Sequence, residues 1–207
     1  GGIKIRQRGR EIEQKIINEM YILKIFNKKE DVREIATMLN SCAKQGLSDT
    51  AFFYCLGDKN AKSKVIDIYT KHTQEIVSGL KIAENLEKIG NGEIIIINAR
   101  DKIKDVIVGT ICSMLSTSPN YKEGTIIIGM AYNKDKIKVS ARIVGKAGKN
   151  LKEFLQKTVI NLKNNNSTAE IEVDGHELAA GCLLDRNKEN EFIEALKRNS
   201  EIEVIRV

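Results

Sequence analysis

The chain has 207 residues, 42% of them hydrophobic and 30% charged, which is enough for one large domain or two small ones. Lysine and arginine number 34 against 28 aspartates and glutamates, a net charge of +6 that favours a nucleic-acid partner without requiring one. Neither a membrane-spanning run nor a signal peptide is visible, and the four cysteines lack zinc-finger spacing. We therefore expect a cytoplasmic protein with reduced thiols and no membrane partner. Because the sequence starts Gly-Gly without methionine, we also expect a fragment of a longer protein.

The first 90 residues are predicted to be helical, because apolar residues recur there at helical spacing. Asp31 is a suitable N-cap for the second of these helices. His72 falls on the last and longest helix, where we expect it at the surface. The predicted helices span residues 10–26, 32–46, 48–56 and 60–89.

The pattern changes after Gly90. Residues 94–97 are four consecutive isoleucines, typical of a strand that is buried on both faces. The elements predicted next are a helix over 103–116, strands over 125–131 and 137–142, a helix over 151–162 capped by Asn150, a strand over 169–173, a helix over 189–197 and a strand over 202–207. The sequence thus predicts an α/β fold in which a helical N-terminal region, 1–90, precedes a mixed β-sheet domain with flanking helices, 91–207.

Ser140 and Arg142 are two residues apart on an alternating strand, so both side chains are predicted to project from one face. An arginine fork beside a hydroxyl can hold one phosphate group. The alternative is an ordinary exposed strand face with ordinary charges.

A glycine loop follows this strand, with the sequence Gly145-Lys146-Ala147-Gly148. The first glycine of a Walker A loop is missing, since Ile143 stands in its place. The G-x-x-G of a KH domain fits better, although that loop joins two helices and here a strand precedes it. Lys146 and Lys149 are candidates for salt-dependent contact with a phosphate backbone, and a solvated turn remains the alternative.

The stretch from Asp174 to Gly181 combines a turn with small residues. We expect Asp174 to cap a short helix that starts near His176, whose free N–H groups would form a phosphate seat after Gly175. The alternative is a tight turn with a structural histidine. With two histidines and scattered aspartates, the chain shows no metal-binding or nucleophilic centre in its sequence.

Together these stretches resemble the archaeal form of the RecJ-like single-strand exonucleases in the DHH phosphoesterase superfamily. The family's Ser-x-Arg strand is similar to residues 140–142, and its Gly-Gly-His-x-x-Ala-Ala-Gly string to residues 174–181. Weaker likenesses are Asn40 to Gly46, at the family's domain junction, and Asn98 to Asp101 before Ile107-Val108-Gly109-Thr110. The resemblance covers roughly Val32 to the C-terminus. Asp174 departs from the motif's first glycine, and Lys44 from an arginine.

The resemblance implies the C-terminal, substrate-binding half of a 5′-to-3′ exonuclease of DNA replication and repair. Its partner would be single-stranded DNA or RNA, bound by Ser140, Arg142, Lys146, Lys149, Gly175 and His176. The family's manganese or magnesium pair belongs to a catalytic domain that this chain does not contain, so we expect no cofactor and no nuclease activity in this chain alone. Two alternatives stay open: a non-catalytic, Cdc45-like module that binds the GINS replication complex, and the substrate-binding half of an oligonucleotide or nucleotide phosphodiesterase.

Overall fold

The computed structural model describes residues 21–90, 92–145, 148–163 and 171–202. The chain divides between His72 and Thr73 into two compact units, which are described separately below. The division predicted at residue 90 remains a prediction.

The first unit begins with a β-hairpin where the sequence predicted a helix. Phe26 and Asn27 both have positive φ angles, 49° and 60°, the geometry of a type I′ hairpin turn. The Phe26 ring meets Tyr54 edge-on, with centroids 5.1 Å apart, and lies under the Lys62 ammonium group. The predicted helix over 10–26 is therefore wrong for residues 22–26, and residues 10–20 lie outside the described part.

Helices follow the hairpin, as the sequence predicted. Asp31 caps the first of them, its Oδ1 accepting a hydrogen bond from the Arg33 N–H at 2.9 Å. The predicted surface position of His72 is wrong, because this side chain is only 5% exposed. The elements introduced here are β1 (Ile22–Ile25), β2 (Lys28–Asp31), α1 (Val32–Lys44), α2 (Ser48–Cys55) and α3 (Lys59–Asn85), of which α3 continues into the second unit.

The described residues of the second unit form a six-stranded mixed sheet with the strand order β3-β4-β5-β6-β8-β7. The pair β4 and β5 is parallel, and the other neighbours are antiparallel. This arrangement confirms the α/β fold class. Its elements are β3 (Ile89–Gly90), β4 (Ile94–Arg100), α4 (Asp105–Ser116), β5 (Ile126–Asn133), β6 (Lys136–Ile143), α5 (Leu151–Lys163), β7 (Val173–His176), β8 (Ala179–Asp185), a 3-10 turn (Arg186–Lys188) and α6 (Glu189–Ile202).

The two faces of the sheet are covered differently. One face packs against α5 and α6 in an extended apolar core that reaches from β4 to β8. The other face packs against α4 and the end of α3 over β4 and β5. The predicted strand with two buried faces is confirmed, since Ile96 and Ile97 are both fully buried although they point to opposite sides. On β8 and β7 the second face stays open, and Leu183 there is 51% exposed.

The end of the chain differs from the prediction in two places. The strand β7 continues through His176, and after a two-residue turn β8 begins at Ala179, so the predicted helix near His176 is wrong. Ile202 belongs to α6 and not to a strand, while 203–207 lie outside the described residues. In the described ranges, no helix has the length and hydropathy that crossing a bilayer requires.

Candidate functional site

The strand register brings the two predicted phosphate-binding stretches onto one face of the sheet. Ser140 lies opposite Gly181, and Gly181 lies opposite Asp174. Two residues further along β6, Arg142 lies opposite Ala179, and Ala179 lies opposite His176. Residues directly opposite each other share a face, and two strand spacings separate Arg142 from His176 by about 10 Å.

These rows line an open groove of about 730 Å³ along β6, β8 and β7, on the face that α4 covers only at β6, where Ser140 is buried. Its floor is formed by Ala179 and Gly181, which carry little or no side chain. The groove includes the predicted site residues Ser140, Arg142, Gly175 and His176. Asp174 and Glu172 also line it, and Lys136 and Lys138 add positive charge on the β6 side.

Arg142 is held in place by its neighbours. Its Nε donates to the Ser113 Oγ at 2.9 Å, and its Nη1 donates to the carbonyl of Ala141 at 2.7 Å. Ser113 in turn donates its hydroxyl proton to the carbonyl of Gly109 on the same helix. These bonds leave Nη2 without a partner among the described residues. The guanidinium group is therefore preorganised, with donor capacity remaining for an anion.

The imidazole of His176 is oriented by the turn that follows it. Its Nδ1 accepts a hydrogen bond from the Leu178 N–H at 3.3 Å. Because Nδ1 is the acceptor, the neutral ring carries its proton on Nε2. His176 is exposed. It can therefore present an N–H donor to a ligand in the groove.

Gly175 has a structural role in this hairpin. Its φ is +120°, and a Cβ placed on it would lie 2.3 Å from the carbonyl oxygen of Ala179. No other residue fits there without moving the backbone. The Gly175 N–H donates to the Asp174 Oδ1 at 2.7 Å, so a carboxylate takes the backbone donor of this predicted site residue.

The predicted lysines lie elsewhere or outside the described residues. Lys149 does not line the groove and instead borders depressions shared with Asn120 to Thr125 and with Glu153. Lys146 lies outside the described residues. The loop joins strand β6 to helix α5, which does not match the helix–helix setting of a KH loop.

The N-terminus of α5, beside this loop, has its first donors satisfied. As predicted, Asn150 caps the helix, its Oδ1 accepting from the Lys152 and Glu153 N–H groups at 3.1 and 3.2 Å. The Leu151 N–H donates to the carbonyl of Glu177 at 2.9 Å. These protein partners take the place that a phosphate would occupy at a free helix end.

Two contributors to the groove were missed in the sequence. Lys138 precedes Ser140 by two residues, so the same alternation places it on the groove face, and this signal was available. Ser113 is a helix residue that acts only through its contact with Arg142, and no sequence spacing indicates that pairing.

A second polar cluster surrounds Glu189, which is buried at the end of the sheet remote from His176. Its Oε1 accepts from Asn98 Nδ2 and from Arg100 Nε and Nη2 at 2.8 to 3.0 Å, and the Tyr132 hydroxyl donates to Oε2. Burial alone would raise the pKa of Glu189, but the hydrogen bonds from Tyr132, Asn98 and Arg100 outweigh it and lower that pKa. Both carboxylate oxygens of Glu189 are thus hydrogen-bonded, which fixes the start of α6 to β4 and β5. Among the described residues, the buried Oδ1 of Asn98 has no hydrogen-bond partner.

A metal centre is not supported by the described side chains. Among them, no three His, Cys, Asp or Glu residues lie close enough together to hold an ion. The cysteines are free thiols, three of them buried, and Cys55 is exposed. What the groove offers is a set of oriented donors suited to an anion.

Comparison with known proteins gives a fold but no sequence family. No protein-family model and no curated protein sequence matches the chain. Among solved structures, RecJ from Thermus thermophilus in complex with Mn²⁺ matches with a TM-score of 0.62 and 15% identity, covering 81% of this chain and 24% of that chain. The fold of this chain is thus similar to that of part of this RecJ structure.

Two further solved structures have a similar fold. Cdc45 from Entamoeba histolytica matches with a TM-score of 0.55 at 12% identity, over 86% of this chain and 39% of that chain. The DHH domain of a protein assigned to a family of ribosomal proteins matches with a TM-score of 0.53 at 19% identity, over 85% and 43%. The chain thus spans between 24% and 43% of the length of these structures. At such identities the likeness concerns the fold alone.

Proposed function

We propose that this chain binds the phosphate backbone of single-stranded nucleic acid, as the substrate-holding part of a RecJ-like exonuclease of DNA replication and repair. The observation that carries the proposal is the shared face of Ser140, Arg142 and His176, which come from two separate stretches of sequence. The similarity of the fold to part of RecJ supports the same interpretation.

Each side chain has a distinct part in the proposed contact. Arg142 offers the free edge of its fork to phosphate oxygens, and Ser140 adds a hydroxyl donor beside it. His176 donates through Nε2 on the other side of the small-residue floor. Lys138 attracts the phosphate backbone electrostatically, in a salt-dependent way. A floor about 10 Å across, from β6 to β7, suits one strand of DNA or RNA.

Hydrolysis belongs to the longer protein in this proposal. A manganese or magnesium pair, held by carboxylates outside this chain, would activate the attacking water and stabilise the leaving group. The residues of this chain would hold the strand, and His176 would donate to the phosphate next to the scissile bond. The chain alone is then expected to bind single strands without cleaving them.

The test is the affinity of the wild type and Arg142→Ala for a fluorescein-labelled oligothymidylate. Losing a charge-assisted contact of about 1.5–3 kcal/mol weakens binding roughly 10- to 150-fold. The matched control is Arg198→Ala, an exposed arginine on α6, which packs on the other face of the sheet. Equal affinity of the wild type and Arg142→Ala would refute the proposal.

Asp174 favours a second candidate, because a carboxylate in the groove opposes phosphate binding. This candidate is a non-catalytic, Cdc45-like module whose partner is the GINS complex. Retention of GINS on the immobilised chain, together with no measurable binding of single-stranded DNA or RNA, would select it. The groove could equally hold a short oligonucleotide for a phosphodiesterase, and comparing a dinucleotide with a long oligothymidylate separates that alternative.

A further inference from the structure

Asp174 places a carboxylate in the groove that is proposed to bind phosphate. It lies on the same face as Ser140, two strands away, and the residue paired with both is Gly181, which has no side chain. Its Oδ1 accepts the Gly175 N–H at 2.7 Å. The residue is exposed and lines the groove together with Arg142 and His176. An anion attached to the protein therefore lies inside the surface that is proposed to bind anions.

We propose that Asp174 acts as a tethered competitor of the phosphate backbone and sets the affinity of the groove for single strands. This inference rests on the proposed function. The carboxylate takes the Gly175 N–H, a donor that a phosphate could otherwise use, and it places a negative charge in the same groove. The strand must displace Asp174 from the Gly175 N–H, and it must also overcome the repulsion between like charges.

The surrounding charges explain why this competitor is tolerated in the folded protein. Lys138 and Arg142 line the β6 side of the groove, and Glu172 lies on the same side as Asp174. Opposite charges across the groove attract each other in the absence of ligand. Removing Asp174 therefore leaves a more positive groove with one more free backbone donor.

Two variants separate the charge of Asp174 from its occupation of the Gly175 N–H. Asp174→Asn removes the charge but keeps an oxygen that can accept from Gly175. Asp174→Ala removes both, and the position has no positive φ that would strain an alanine. Glu172→Gln removes one negative charge from the same groove without touching the Gly175 donor and is the matched control.

The experiment measures the dissociation constant of each variant for a fluorescein-labelled oligothymidylate at near-neutral pH and fixed salt. We expect Asp174→Ala to bind about three- to tenfold more tightly than the wild type, as removal of one like charge from a solvated groove allows. Asp174→Asn should fall between the two, and Glu172→Gln should change affinity less than about twofold, the scale of an exposed charge.

An affinity of Asp174→Ala equal to or below that of the wild type, or no detectable binding, overturns the inference. An equal gain in affinity for Glu172→Gln also overturns it, because any negative charge in the groove would then weaken binding as much as Asp174 does. Arg142→Ala in the same series distinguishes the two claims. If Arg142→Ala weakens binding and Asp174→Ala does not strengthen it, only the role of Asp174 fails. If Arg142→Ala changes nothing, the proposed function fails.

Discussion

Gly181→Ala is expected to destabilise the protein, because β8 approaches β6 too closely for a side chain at this position. A Cβ placed on Gly181 would lie 2.6 Å from the carbonyl oxygen of Val139. Both atoms are fixed by the backbone, so the contact is relieved only if β8 moves away from β6. Such overpacking lowers the free energy of unfolding by about 1–3 kcal/mol. Alanine also reduces the conformational entropy of the unfolded chain, which raises the free energy of unfolding by about 0.4–1 kcal/mol. The expected net loss is about 1–2 kcal/mol.

Urea unfolding of the purified chain measures this loss as a lower midpoint with an unchanged slope. The control is Gly109→Ala on α4, whose new methyl group would meet Ser140 Oγ at 3.2 Å, a side-chain atom able to move. Alanine is also the better helix former by about 1 kcal/mol, so the control should lose less than about 0.5 kcal/mol. If Gly181→Ala is as stable as the wild type, Gly181 is not required by the pairing of β6 with β8.

Three further predictions concern stability and thiol chemistry. Glu189→Gln should lower the free energy of unfolding by about 1–3 kcal/mol at neutral pH. The hydrogen bonds to Glu189 lower its pKa below the ordinary 4.5, so the stabilisation is present above pH 4.5 and is lost as the pH falls through the lowered pKa. A difference in stability between the variant and the wild type that persists in acid would contradict this pH dependence. Asn150→Ala should cost about 1 kcal/mol in thermal or urea unfolding by removing the cap of α5, and a smaller loss than about 0.3 kcal/mol would argue against the cap. Iodoacetamide should label the exposed Cys55 first in native protein, whereas burial raises the pKa of Cys112 to about 12, and early labelling of Cys112 by peptide mass analysis would contradict its burial.

Local signals were sufficient for the elements that have strong periodicity or a clear cap. The four isoleucines at 94–97 indicate a buried strand whatever their neighbours are, because only burial on both faces suits such a run. Asp31 and Asn150 indicate helix starts because a side-chain oxygen satisfies free backbone donors there. The buried strand and the capped helices together predicted the α/β fold class.

Errors occurred where distant contacts or short segments decide the structure. The hairpin at residues 22–31 is stabilised by Phe26 against Tyr54, which lies 28 residues further along the chain. The strand β7 has four residues, too few for periodicity to distinguish strand from helix start. Its turn, Glu177-Leu178, lacks the Asn-Gly or Asp-Gly signature of tight hairpins.

The candidate site was predictable in its parts but not in its assembly. The two-residue spacing of Ser140 and Arg142 places them on one face. Their approach to His176 depends on the insertion of β8 between β6 and β7, and strand order is not encoded in any local pattern. The contact of Ser113 with Arg142 likewise requires α4 to cover β6.

The central claim is that the face shared by Ser140, Arg142 and His176 binds a single strand. The most direct measurement is a titration of the ¹⁵N-labelled chain with an oligothymidylate, followed by amide and arginine Nε–H NMR signals. The account predicts chemical-shift changes at Arg142 Nε–H and at the amides of Ala179 and Gly181, with none on the exposed surface of α6. Changes confined to α6, or to the depressions beside Lys149, would contradict it.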